Sequence, residues 1–381
     1  IKEFGKNIDA TILSEICDKI EKSDKIIVAS LHGTPLGGGL EVAISAHYRI
    51  AAPKTKVGLP EVLLGILPGA GGTQRLLRLC GVAMALDMML TGKHVNTEDA
   101  YKNGIIDEIA DDDNTIDNGI AYAKRLISEG FKARPTSKIN DKLSNLEEVK
   151  KIIVKVKAET LIKAKNLFSP HAIIKCVEEG LDLDFDLSIK NERKIFKECI
   201  ESPQRQGLIH SFFAERAITK VPELKTGKPR DLKKIGIIGG GTMGTGISMA
   251  AMNAGFSVIM IEQNDEAIEK ANAKINATYE RNVRLGRITT EQKKQIMSLF
   301  SAVTNMEILN DRDLIIEAVF EDMEIKKQVF MKLDKICNKD CILASNTSYL
   351  NVNDIAAVVD DPSRVIGLHF FSPANIMKLL E

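Results

Sequence analysis

The feature that most constrains this chain is a glycine turn set between a strand and a helix. The apolar run Lys234-Ile-Gly-Ile-Ile238 leads directly into Gly239-Gly240-Gly241-Thr242-Met243-Gly244, which has the spacing G-x-G-x-x-G. A helical pattern continues through Asn253 and stops at Gly255. A second apolar run, Ser257–Ile261, then ends at Glu262, 23 residues beyond Gly239, close to the ~20 such an arrangement requires. Gly239 permits the tight turn, Gly241 lets the backbone approach a pyrophosphate, and Gly244 lets the helix lie against the strand. The helix start at Thr242 and Met243 offers unpaired N–H groups and a partial positive charge to an anion. Glu262 is placed to accept hydrogen bonds from ribose hydroxyls and to repel a 2′-phosphate. Its neighbours Gln263 and Asn264 offer no cation to hold one. The expected ligand is therefore NAD.

The rest of the chain divides around that turn. With 381 residues, two or three domains are expected. From Asp231 onward, apolar strands at Leu314–Val319, Cys341–Ala344 and Val365–Phe371 alternate with charged helices, which predicts a parallel, doubly wound sheet over 231–381. Residues 126–230 read as a helical connecting region. Its run Val149–Leu167 puts Ile152, Ile153, Val156, Ala158 and Leu161 on one face. Leu187–Ala217 reads as a single long helix, and Lys220–Arg230, with two prolines and a glycine, as the linker. Residues 1–125 read as α/β: a helix over Ala10–Lys22, a strand over Ile26–Ser30, and glycine turns at 37–39 and 67–73. Helices follow over Ala83–Leu90 and Thr97–Asn103.

Composition narrows the partners. Lys plus Arg and Asp plus Glu both number 52, so neither nucleic acid nor an anionic membrane is expected as the main partner. No apolar run approaches the ~20 residues of a membrane-spanning helix. The six cysteines form no C-x-x-C pair and the six histidines do not cluster with them. Reduced thiols of an intracellular protein and no metal site are expected. The compartment would be the cytoplasm if the source is bacterial, with the peroxisome open if it is eukaryotic. The chain starts at Ile-Lys-Glu-Phe without a Met and closes on Met-Lys-Leu-Leu-Glu381, which reads as an interrupted strand. A piece cut at both ends is the expectation.

Four motifs in the C-terminal part carry a resemblance. They are Ile235–Gly246, Ile316-Glu-Ala-Val-Phe-Glu-Asp322, Ala344-Ser-Asn-Thr-Ser348 and Gly367-Leu-His-Phe-Phe-Ser-Pro373. In order and spacing, residues 231–381 resemble the Rossmann NAD-binding domain of L-3-hydroxyacyl-CoA dehydrogenases. The resemblance implies that His369 is the base for the substrate 3-hydroxyl, a task that suits an imidazole titrating near neutrality. It also implies that Glu381, 12 residues on, orients that base. Ser348 matches a hydroxyl that binds the substrate 3-oxygen, and Asn346 lies beside it. Glu321 and Lys326 match positions near the nicotinamide and the cofactor phosphates.

Two further motifs lie in the N-terminal part, His32-Gly-Thr-Pro-Leu-Gly-Gly-Gly-Leu-Glu41 and Leu59–Arg75. They resemble enoyl-CoA hydratases of the ClpP/crotonase-like superfamily. The resemblance implies that Glu41 activates water for attack at C3 and that Glu61 protonates C2. Gly38 would give one of two N–H groups that hold the thioester oxygen. A second donor in this family precedes residue 1, so the crotonase domain reads as partial and its hydration as impaired.

The order hydratase, helical region, dehydrogenase resembles the bifunctional β-oxidation enzymes. Acyl-CoA thioesters are then the expected substrates, and a thiolase partner or self-association stays open. Two other readings stand beside it: a dehydrogenase whose first part isomerises enoyl-CoA double bonds, and an inactive NAD-binding protein.

Overall fold

A computed structural model describes residues 11–218, 220–221 and 227–381. Ala10 of the expected first helix and Pro222–Thr226 of the expected linker lie outside the described residues. The chain forms two compact units, 1–225 and 226–381.

The first unit opens with α1 (Thr11–Glu21), β1 (Val28–Leu31), α2 (Gly38–Ser45) and β2 (Tyr48–Ala51). Next come β3 (Lys56–Val57), α3 (Gly72–Cys80), α4 (Val82–Thr91), β4 (Val95–Asn96), α5 (Thr97–Lys102), β5 (Glu108–Ile109) and α6 (Thr115–Ser128). Strands β1, β2 and β5 form a parallel sheet in that order, with Val28 opposite Tyr48 and Ile50 opposite Glu108. Strands β3 and β4 pair antiparallel.

Four more helices complete the unit: α7 (Leu146–Lys163), α8 (Phe168–Gly180), α9 (Phe185–Glu201) and α10 (Pro203–Ala217). Helices α7 to α9 do not stand apart as a connector. Ile153, Ile173, Ile174, Val177, Ile195 and Cys199 are buried in the same core as Leu40, Ile44, Leu76, Leu86, Met88 and Met89. In α7 the buried face is Val149, Ile153 and Thr160, while Leu161 faces solvent. The expected single helix over 187–217 is two helices. Pro203 has no N–H to donate at a helix interior, but it fits the first turn of α10, where Ser202 accepts from the Gln204 N–H.

The second unit runs β6 (Lys234–Ile238), α11 (Thr242–Asn253), β7 (Ser257–Ile261), α12 (Asp265–Arg284), α13 (Thr290–Met297), β8 (Phe300–Val303) and β9 (Leu314–Glu317). It ends with α14 (Met323–Ile336), β10 (Ile342–Ser345), α15 (Val352–Ala356) and β11 (Val365–Gly367). The six strands are parallel in the order β11-β10-β9-β6-β7-β8. Chain order reverses between β6 and β9, and such a switch point opens the crevice where doubly wound sheets take ligands. The edge strand β8, half-buried and short, has no counterpart in the sequence reading.

Candidate functional sites

In the first unit, two glutamates from separate segments meet around one turn. Glu41 lies in the first turn of α2, and Glu61 opens a 3-10 turn, Glu61–Leu64. Both are buried. Glu41 Oε1 accepts from the N–H of Ala70 at 2.7 Å and of Gly72 at 2.9 Å. Glu61 Oε2 is buried with no partner among the described residues. A Cβ on Gly37 would stand 3.0 Å from Glu61 Oε1, and one on Gly72 2.8 Å from Glu41 Oε1. Only glycine lets the backbone approach both carboxyls so closely.

Burial raises both carboxyls above the ordinary range. For Glu41 the two N–H groups and the charges of Arg75 and Arg193 oppose the rise. For Glu61 the neighbouring charges of Glu41 and Glu192 add to it, and it sits well above. The pair is therefore unequal: the surroundings of Glu41 offset part of its rise, and those of Glu61 add to its own. Gly38 is the first residue of α2, so its N–H lacks an acceptor within the helix. Leu13 of α1 closes over it, 2.9 Å from where a Cβ would stand.

A third buried carboxyl, Glu192 of α9, was not singled out from the sequence. Its Oε1 accepts from the Gly71 N–H at 2.6 Å, and its Oε2 accepts from the N–H of Thr73 at 3.1 Å and the Thr73 hydroxyl at 2.5 Å. Burial and the charge of Glu41 push it up to about 8. A signal existed: Ile189, Glu192, Ile195 and Cys199 share one helical face, so a carboxyl stands at an apolar position.

In the second unit the glycine turn closes on the switch point. Gly239 has φ +96°, and a Cβ there would stand 2.9 Å from the Ala318 carbonyl oxygen. At Gly244 it would stand 1.8 Å from the Gly239 carbonyl oxygen, whereas at Gly241 it meets open space. Gly241 caps α11 without a side-chain bond, which leaves the N–H groups at Thr242 and Met243 for a ligand. Glu262 accepts from the N–H of Gly240 and, through its other oxygen, from that of Gln263 at 3.0 Å. Lys274 of α12, which was not singled out from the sequence, reaches the Thr242 hydroxyl at 3.5 Å and brings a cation to the start of α11. These residues fit an NAD pyrophosphate and ribose.

Beside the turn, a cleft of about 340 Å³ gathers Met243, Glu321, Lys326, Asn346, Ser348 and His369. His369 Nδ1 lies 3.2 Å from Glu381 Oε2, and the two residues exchange backbone hydrogen bonds of 2.8 and 3.1 Å. Asn346 Oδ1 accepts from the Phe370 N–H at 2.9 Å, so this side chain ties the end of β10 to the His369 strand. The Ser348 N–H donates to Glu321 Oε1 at 3.0 Å, and Thr347 donates to the same oxygen.

Lys326, expected near the cofactor phosphates, lines this cleft. Its buried ammonium is taken by Glu317 Oε1 at 2.7 Å and Glu321 Oε2 at 3.1 Å, as a buried cation requires. Ser345 donates to the other Glu317 oxygen. Partial burial works against the Glu321 charge, yet Thr347, Ser348 and Lys326 hold its carboxyl below the ordinary range. Among the described residues, no helix is long and apolar enough to cross a membrane.

Comparison with known proteins agrees with both halves. Residues 7–169 match the family model of enoyl-CoA hydratase/isomerase, and residues 234–381 that of the 3-hydroxyacyl-CoA dehydrogenase NAD binding domain. A peroxisomal fatty acid beta-oxidation multifunctional protein of Arabidopsis thaliana is 38% identical over 388 residues, covering 100% of this chain and 54% of its own length. A peroxisomal bifunctional enzyme of Danio rerio is 37% identical over 390 residues, covering 100% and 52%. Among solved structures, 3-hydroxybutyryl-CoA dehydrogenase from Escherichia coli is 36% identical over 40% of this chain and 32% of its own, with a TM-score of 0.39. The chain spans about half the length of the curated relatives it matches. It joins a crotonase-like unit that matches the hydratase/isomerase family model to a Rossmann-like unit that matches the 3-hydroxyacyl-CoA dehydrogenase NAD binding domain, and over its whole length it is similar to multifunctional fatty acid beta-oxidation proteins.

Proposed function

We propose that this chain carries two successive steps on acyl-CoA thioesters: hydration of a 2-trans-enoyl-CoA to the L-3-hydroxyacyl-CoA, and its NAD-dependent oxidation to the 3-ketoacyl-CoA. The observation that carries the reading is the inequality of the buried pair. Glu41 accepts from two N–H groups while Glu61 keeps an unpartnered oxygen.

In the first step Glu41 takes a proton from water, whose oxygen bonds to C3. The C2–C3 π electrons shift toward the thioester carbonyl, whose oxygen Gly38 N–H holds, and Glu61 gives its proton to C2. A later proton transfer through solvent returns both carboxyls to their starting forms. In the second step Glu381 holds Nδ1 of His369, which leaves Nε2 to take the proton of the 3-hydroxyl. Ser348 and Asn346 orient the substrate oxygen. The turn at Gly239, Gly241 and Gly244, with Thr242, Met243, Lys274 and Glu262, holds the cofactor, and Glu321 fixes the rim of the cleft. When bound, NAD⁺ supplies the hydride acceptor. The names of the relatives favour a peroxisomal setting if the source is eukaryotic.

The test is turnover of crotonyl-CoA with and without NAD⁺. Loss of the enoyl thioester absorbance without NAD⁺, and NADH formation only with it, is expected. NADH formation from 3-hydroxybutyryl-CoA without any hydration would support the dehydrogenase with an isomerising first unit. Neither activity in chain that binds NAD⁺ would sink the reading in favour of an inactive binding protein.

A further inference from the structure

The four N–H groups of Ala70, Gly71, Gly72 and Thr73 are shared between two carboxyls in strict alternation. Glu41 takes those of 70 and 72, Glu192 those of 71 and 73. Gly71, Gly72 and Thr73 are the N-cap and first two residues of α3, whose N–H groups have no intrahelical acceptor. Gly71 has φ +94°, a conformation open to glycine. The hold from the α9 side is Glu192, fully buried and with every oxygen engaged. Glu61, whose Oε2 is buried and unpartnered among the described residues, lies near enough for the charges of Glu41 and Glu192 to act on it.

We propose that Glu192 is a positioning residue for the hydration step: it fixes the 70–73 turn so that Glu41 is aimed, and it sets a third carboxyl beside the Glu41–Glu61 pair. This rests on the hydratase reading of Glu41 and Glu61. The groups acting on Glu192 are Glu41 from α2, Glu61 from the 3-10 turn, Arg75 and Thr73 from α3, and Cys176 from α8. Arg193, its neighbour on α9, donates to the Gly69 carbonyl and acts on Glu41. Two negative neighbours, Glu41 and Glu192, oppose ionisation of Glu61. Removing one makes that ionisation easier.

Two substitutions separate the two roles. Glu192→Gln removes the charge; Glu192→Asp keeps it but draws the carboxylate back by one methylene. The side-chain carboxyls of the ¹³C-glutamate-labelled whole chain are titrated by NMR, with Glu41→Gln and Glu61→Gln as assignments, and crotonyl-CoA hydration is followed against pH. In Glu192→Gln the Glu61 midpoint and the alkaline limb of kcat/KM are expected to move down together, by on the order of one pH unit. In Glu192→Asp the limb is expected to stay while kcat falls by on the order of tenfold or more through misplacement of Glu41. An unmoved Glu61 midpoint in Glu192→Gln overturns the proposal, whatever happens to thermal stability. If wild-type chain hydrates nothing, the hydratase reading fails, and the NMR titration still decides the influence of Glu192 on Glu61.

Discussion

Glu41 and Glu192, 151 positions apart in the sequence, grip alternate N–H groups of one four-residue turn. Neither is a surface ion pair, and neither takes its place from local sequence. Their shared target ties the stability of the first unit to the state of its carboxyls.

The first prediction concerns pH. The Glu192 carboxyl rises from an ordinary 4.5 to about 8 on folding. The folded state then keeps a proton that the unfolded chain has released above about 4.5. Stability is full below that value and falls as pH rises through about 8. The rises at Glu41 and Glu61 act in the same direction. The urea midpoint of the first unit is expected to drop between pH 5.5 and 8.5, and Glu192→Gln to flatten the drop without abolishing it. A midpoint that climbs over this window would contradict the burial argument.

Hydration and oxidation are expected to separate by mutation. Glu41→Gln or Glu61→Gln should lower hydration of crotonyl-CoA by roughly 100-fold or more. Oxidation of 3-hydroxybutyryl-CoA should stay near wild type, since the second unit holds its own cleft. Parallel loss of both rates would place these glutamates in folding rather than chemistry.

His369→Gln removes the proton acceptor, and NADH formation should fall by roughly 100-fold or more while NAD⁺ affinity by calorimetry stays the same. Glu381→Gln should lower kcat by less, because the 3.2 Å contact to Nδ1 turns from an ionic to a neutral hydrogen bond. Equal losses in the two variants would mean that Glu381 does more than orient the ring.

The glycine turn offers a paired test. A methyl group at Gly244 would overlap the Gly239 carbonyl, whereas at Gly241 it meets open space. Gly244→Ala should therefore destabilise the second unit. Gly241→Ala should leave its melting temperature unchanged and weaken NAD⁺ binding. A Gly241→Ala chain that binds as tightly as wild type would remove Gly241 from the cofactor site.

Lys326→Ala should cost about 3 kcal/mol or more in urea unfolding of the second unit, because it leaves the buried Glu317 carboxylate unpaired. Lys326→Ala together with Glu317→Ala should recover part of that loss. A single variant as stable as wild type would show that the pair contributes nothing.

What the sequence made legible was the local and periodic part. The strands Lys234–Ile238 and Ser257–Ile261 lie where their apolar runs end, and the glycine turn joins strand to helix as its spacing requires. Harder to read was whatever depended on long-range burial. Strand β8 is short and half-buried, so its pattern is weak. The break at Ser202-Pro203 is masked in the sequence because the charged periodicity continues across it. For Lys326 the resemblance implies a place near the cofactor phosphates; its pairing with Glu317, nine residues earlier at the end of β9, depends on how α14 packs against the sheet. Glu192 is hard to read for a related reason, since its partners Gly71 and Thr73 lie at the start of α3, far away in sequence.

The seating of α9 against the 69–73 turn has a practical consequence for anyone dissecting this chain. A piece ending near residue 145, where the matched strands and turns of the first unit are already complete, would strip the turn of half its acceptors and bare to water the face of α3 and α4, with Leu76, Leu86 and Met88, on which α7, α8 and α9 pack. The smallest excisable portion that keeps its carboxyl cluster intact reaches at least to Glu201, the last residue of α9.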